Sequence, residues 1–232
     1  MIPPQYIVPP LIFVVGAAII ASVTLATRWG CRKRRMALAA WAQKEGLYFS
    51  PERDDLMVNQ FSDLKCFDHG RDRYAENVIS GAWQGYGIQA FDYHFTSGYG
   101  RTETDHAFPA LVVGAPARLK PLFIRPAGFR DKVAQTMGTE DIQFESAEFN
   151  RKFVVHAPDR KWAYDVLHPR AMELLLQTPS LAIEFSERSV IASRDGCFKV
   201  PDFAQALALV VGLLDLLPNY VMQQEVVGGD AS

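Results

Sequence analysis

His94 stands two residues after Asp92 in the segment Gly87-Ile88-Gln89-Ala90-Phe91-Asp92-Tyr93-His94-Phe95. On a β-strand that spacing turns both side chains to one face, where an imidazole and a carboxylate form a candidate acid/base pair. Such a pair far more often belongs to a solvated sheet face. Glu145 and Glu148, with Asn150 and Arg151, form the densest polar knot in the chain, set between Phe144, Phe149 and Phe153. Two carboxylates beside an arginine can hold a cation or a basic peptide, or close a salt-bridged turn between strands. Asp92, His94, Glu145 and Glu148 are the catalytic candidates, and no complete catalytic set accompanies them.

Other chemistries find little support. His69, His94, His106, His156 and His168 make no H-E-x-x-H or H-x-x-x-H ligand set, and Cys31, Cys66 and Cys197 contain no C-x-x-C pair. No metal site and no cofactor is expected. Cys31 is a plain cysteine or an acylation site. Ser80-Gly81 lacks the preceding glycine of a nucleophile elbow. Gly81, Gly85, Gly87, Gly98 and Gly100 have neither G-K-[ST] nor a following amphipathic helix, so they read as turn glycines.

The elements that must position these residues are strands first. Asn77–Trp83 and Gly87–Phe95 flank Gln84-Gly85-Tyr86 as a hairpin, with Gln89, Phe91, Tyr93 and Phe95 on one face and Ile88, Ala90, Asp92 and His94 on the other. Short strands are expected at Leu47–Phe49, Ala107–Val113, Leu122–Arg125, Ile142–Phe144, Arg151–His156, Ala182–Phe185 and Val190–Ser193. Asp68–Tyr74 reads as polar and exposed. Helices are expected at Asp54–Leu64, Gly128–Met137, Lys161–Leu167 and Pro169–Leu176. A last helix, Phe203–Leu217, has Asp202 as its N-cap. Its uncharged run of 12 residues is shorter than the ~20 a bilayer span needs, so it is expected in the core.

Tyr6–Thr27 is a run of 22 uncharged residues, followed at once by Arg28, Arg32, Lys33, Arg34 and Arg35. A helix from Pro10 to Trp29 would be about 30 Å long, the thickness of a hydrocarbon core. Basic charge after the apolar run, with none before it, predicts a retained anchor, an N-terminus outside and the remainder in the cytoplasm at the inner membrane. The five basic residues are then membrane-surface contacts with the lipid bilayer as partner. Met36–Ser232 carries 19 basic against 26 acidic side chains, net −7 where the chain as a whole is −2. That acidity excludes a nucleic-acid partner, which would need an extended basic surface.

The expected fold class is α+β: one N-terminal transmembrane helix, then a single domain with a mainly antiparallel sheet and packed helices, including a C-terminal core helix. The expected divisions are an extracytoplasmic N-terminus at 1–9, the transmembrane helix at 10–29, a basic juxtamembrane helix at 30–46 stopped by Gly46, a cytoplasmic α+β domain at 47–220 and a flexible tail at 221–232.

Asn77–Gly81, Phe91-Asp92-Tyr93, Ile124-Arg125-Pro126, Asp141-Ile142 and the run E-S-x-E-F-N-R-x-F from Glu145 to Phe153 resemble an uncharacterised family of bacterial single-pass membrane-anchored proteins. The resemblance covers most of Trp41–Pro218. It implies a bacterial origin and carries no assigned activity. The expected function is a membrane-tethered, cytosol-facing binding or scaffolding protein with a membrane or cytosolic protein partner. The alternatives are a membrane-anchored, hydrolase-like enzyme using the four candidate residues, and an accessory subunit of a membrane complex.

Overall fold

A computed structural model describes residues 29–127, 141–178, 180–194 and 196–223. Eight strands form one sheet in the order β1-β2-β3-β4-β8-β7-β5-β6, antiparallel at every pairing. They are β1 (Tyr48–Ser50), β2 (Arg71–Trp83), β3 (Tyr86–Ser97), β4 (Thr104–Gly114), β5 (Leu122–Pro126), β6 (Phe153–His156), β7 (Ala182–Phe185) and β8 (Ser189–Ser193). The long β2–β3 hairpin closes on Gln84 and Gly85 at φ +50° and +87°, the paired left-handed conformation whose twist matches that of the flanking strands.

Cross-strand pairing fixes what each face carries. One row runs Phe49, Ile79, Ala90, Leu111, Ala192, Ile183, Ile124, Val155 across all eight strands. Every member is apolar, and this face is buried under helices. The helices are α1 (residues 29–44), α2 (Ala147–Lys152), α3 (Arg160–Val166), α4 (Pro169–Gln177), α5 (Val200–Asp215) and α6 (Asn219–Gln223). Leu38 and Ala42 of α1, Trp162 of α3, Leu175 of α4 and Phe203, Leu207 and Val210 of α5 meet in that core. Trp41 stacks on Phe203 with ring centroids 6.4 Å apart. The opposite face is covered over part of its area by two short 3-10 turns, Met57–Phe61 and Lys65–Phe67, which bury Met57, Val58, Leu64 and Phe67 against Phe91, Tyr93 and Val112.

The expected fold class is corrected here. Among the described residues no helix is long and apolar enough to cross a membrane. The stretch expected to span, 10–29, lies outside the described residues except for Trp29. The helix that follows, α1, is a helix of the domain: it carries Arg32, Lys33, Arg34 and Arg35 in its first turns and buries Leu38 and Ala42 in the sheet core. Amphipathic packing on the sheet accounts for its described residues. The membrane and transmembrane descriptions are withdrawn with that expectation.

Smaller corrections have local causes. Asp54–Leu64 shortens to the turn Met57–Phe61, which starts where Asp54 Oδ1 accepts from the backbone N–H groups of Leu56 and Met57, both at 2.9 Å. Arg71–Tyr74 is strand and not exposed link. Ile142–Phe144 is not a strand, although Ile142 N–H bonds Val155 O at 2.9 Å along the β6 edge. Asp202 sits three residues inside α5 and accepts from Lys199 N–H at 2.7 Å, so it serves the helix start from within. Gly46, at φ +71°, ends α1 as its conformational freedom allows. The expected helix at Gly128–Met137 lies outside the described residues, as do residues 224–232 of the expected tail.

Candidate functional site

The sheet distributes the candidate residues between two remote places. Asp92, on β3, is buried beneath α1. Arg34 grips it with both terminal nitrogens, Nη2 lying 2.8 Å from Oδ1 and Nη1 bonding Oδ2. Asn77 Nδ2 donates to the same Oδ2 at 2.8 Å, and Arg34 Nε donates to Phe198 O at 2.8 Å. Both carboxylate oxygens are committed. The arrangement is a clamp fastening α1 and the segment before α5 onto the hairpin, and such bidentate charge-assisted pairs are geometrically specific. Asn77 holds φ +55°, a conformation Asn tolerates better than most residues.

His94 shares the face of Asp92 but turns to other partners. Its Nε2 lies 3.4 Å from Glu76 Oε1, and its ring stacks on Tyr74 at 4.6 Å between centroids. Arg35 reaches Glu76 at 3.2 Å, and the Arg53 guanidinium lies 3.9 Å over the Tyr74 ring. Two of the five basic residues expected at a membrane surface, Arg34 and Arg35, thus bond the sheet. Arg32 is exposed, Lys33 lies 5.8 Å from the Trp29 ring, and Arg28 is outside the described residues.

Glu145 and Glu148 are at the other end of the molecule. Four strands stand between β3 and β6 in the sheet order, about 24 Å at the usual strand spacing. Glu145 is exposed, and Glu148, on α2, pairs with Lys152 one turn on at 3.0 Å. The E-S-x-E-F-N-R-x-F run works as a fold element. Ser146 Oγ accepts from Phe149 N–H at 3.2 Å as the N-cap of α2. The Asn150 amide accepts from Phe144 N–H at 3.0 Å and donates to Phe144 O at 2.7 Å. That ring of two bonds occupies the backbone of Phe144 and explains why Ile142–Phe144 pairs with no strand. Among the described residues no group of three or more His, Cys, Asp or Glu is placed to hold a metal ion.

The feature that sequence reasoning missed is a groove on the opposite face. Between the Met57–Phe61 turn and the sheet lie two adjoining hollows of about 360 and 570 Å³. Gln60, Ser80 and Gln89 line both and so join them. Register explains the floor: Ser80 pairs with Gln89 and Gln89 with Val112, so the two polar side chains lie side by side where the 3-10 turns stop covering the sheet. Asp63 and Arg188 stand at one end, and Tyr48, 70% exposed, at the other.

The side chains of Gln60, Asp63, Ser80, Gln89 and Arg188 make no hydrogen bond or ion pair with another described residue, and Gln89 Oε1 is buried there without a partner. A buried amide oxygen without a donor costs of order 1–3 kcal/mol, a cost relieved when the Gln89 amide turns toward a donor in the hollow. The sequence did contain the signal. Gln89 is the one amide on the strand face it shares with Phe91, Tyr93 and Phe95.

Farther along the same face, Glu184 of β7 is buried and accepts from the backbone N–H groups of Lys65 at 2.6 Å and Cys66 at 3.2 Å. Burial pushes its carboxyl up to about 7, against the downward pull of those two donors. It anchors the Lys65–Phe67 turn that walls the covered part of the face.

No protein-family profile matches the chain, and no curated protein matches it. Among solved structures, the crystal structure of the mycobacterial trehalose monomycolate transport factor A, TtfA, is similar over 81% of this chain and 97% of that one. The TM-score is 0.59 at 15% sequence identity, a likeness of fold.

Proposed function

We propose that this chain is a binding or accessory protein that holds a lipid or protein partner in the groove floored by Ser80 and Gln89. The observation that carries the reading is the contrast in commitment. The side chains of Gln60, Asp63, Ser80, Gln89 and Arg188 are without partners among the described residues, whereas Asp92, one of the four catalytic candidates, has both oxygens occupied by Arg34 and Asn77. The fold likeness to a transport factor supports a binding role in kind. A hydrolase-like reading through Asp92 would require a carboxylate whose two oxygens are already engaged by a guanidinium and an amide, which leaves neither directed at a substrate.

The test is site-specific photocrosslinking in the full chain. A photoreactive residue replacing Gln60, at the groove, is expected to give lipid or protein adducts in cells, and one replacing Glu148, at the far end of the sheet, is expected to give none. Equal labelling at the two positions, or none at Gln60, contradicts the proposal.

A further inference from the structure

The chemistry of the groove narrows the ligand. We infer that it is a subsite for a neutral polyhydroxylated group, a sugar either free or as the headgroup of a lipid; the inference rests on the binding role proposed above and names what the groove holds.

Three features of the site support that class. The first is the floor. Gln89, whose amide oxygen is buried without a partner, lines the hollow beside Ser80. The two ends of an amide exchange donor for acceptor when it is turned over. A hydroxyl donates and accepts, so a polyol satisfies Gln89 in either sense, which a pure donor or a pure acceptor does not. Gln60 and Asp63, also without side-chain partners, supply a second amide and a carboxylate at the rim. These planar groups offer two polar atoms each, matched to adjacent hydroxyls.

The second is charge. Glu52, Asp54, Asp55 and Asp63 line the two hollows against Arg53 and Arg188. Arg53 is bonded to Asp55 at 2.7 Å. The lip is therefore net acidic, which repels phosphates and other anions and leaves a neutral ligand favoured. The third is shape and apolar surface. The 360 Å³ hollow has the size of a small-ligand pocket, roughly 300–1,000 Å³. Phe61 lines the 360 Å³ hollow and the exposed Tyr48 the 570 Å³ one, so each has an aromatic residue at its wall for the C–H faces of a sugar ring.

The experiment is calorimetric titration of the full chain with three probes: trehalose, its 6-O-lauroyl ester and trehalose 6-phosphate. Saturable binding of trehalose and its ester supports a sugar subsite, and binding of the ester alone assigns it to a lipid headgroup. The phosphate is expected to bind at least tenfold more weakly than the neutral sugar or ester that does bind. Gln89→Leu is expected to weaken binding at least tenfold, with Gln60→Ala, a change of an exposed rim residue, weakening it three- to fivefold. Gln60→Ala keeps the test decisive if Gln89→Leu fails to fold.

Absence of saturable binding by both neutral probes overturns the inference, as does wild-type affinity in Gln60→Ala and Gln89→Leu, or equal affinity for the phosphate. Adducts at position 60 in the crosslinking experiment with no sugar binding would remove the ligand class and leave the binding role intact.

Discussion

The two faces of the β2–β3 hairpin differ by one residue of register and by everything that register decides. On the helix side, the row through Ile79, Ala90 and Leu111 is apolar, and the polar groups beyond it close on one another: Arg34, Asp92, Asn77 and the Phe198 carbonyl. On the other side, the next row runs Tyr48, Ser80, Gln89, Val112, Ile191, Glu184, Phe123, His156. It is polar and open at its β1–β3 end, apolar in the middle, and carries the buried Glu184 beyond. Charge and hydrogen bonding on the first face hold the molecule together. Uncommitted side chains on the second are available to something else. A charged residue on a strand is therefore a poor guide to function until its partners are known, and a neutral amide without one is the better guide.

The largest effect that would break this comparison is expected at the clamp. Arg34→Ala strands a carboxylate under α1 and is expected to lower folding stability by roughly 3 kcal/mol in denaturant titration. Asp92→Asn in the Arg34→Met background should lose less than the two single changes summed, since they share one interaction. The change at Arg34 is expected to leave ligand affinity untouched. A loss of binding in a folded Arg34 variant would move the functional site to the helix face.

Next in size is the pH response set by Glu184. Its carboxyl is raised from 4.5 to about 7 by burial. Below pH 4.5 it is protonated whether the chain is folded or not. Between 4.5 and 7 the unfolded chain releases a proton that the folded chain keeps, so stability falls as pH rises and levels off above about 7. The contribution is at most about 3 kcal/mol. Denaturation midpoints measured from pH 5 to 8 should show that fall in the wild type, with the Glu184-linked part removed in Glu184→Gln. An identical profile in the variant would separate Glu184 from the response.

A smaller effect sharpens the comparison at the turn that both faces share. Gly85 stands at φ +87°, and an added Cβ would meet nothing within 4 Å. Gly85→Ala should therefore cost only backbone strain, about 1–2 kcal/mol by thermal melt. A much larger loss would mean that the hairpin turn carries packing as well.

Local signals in the sequence located the hairpin, its face alternation, the stop at Gly46 and the burial of α5, because each depends on neighbours a few residues apart. What depended on distant partners was not legible. Of the five basic residues expected at a membrane surface, nothing in the sequence showed that Arg34 and Arg35 meet Asp92 and Glu76 on the sheet. Asp92 and His94 share a face as their spacing requires, yet proximity in sequence did not reveal that Asp92 faces Arg34 or that His94 faces Tyr74 and Glu76. The groove needed the coverage of β2–β4 by a 3-10 turn to become a hollow. Only Gln89, alone among aromatics on its face, marked it beforehand.

The most direct test follows the two side-chain amides that sit on opposite faces of the same hairpin. In ¹⁵N-resolved NMR of the full chain, addition of 6-O-lauroyl trehalose is expected to shift the Gln89 side-chain amide signals while those of Asn77, held on Asp92, stay in place. Movement of Asn77 with Gln89 silent would contradict the account and put the binding surface on the clamp side.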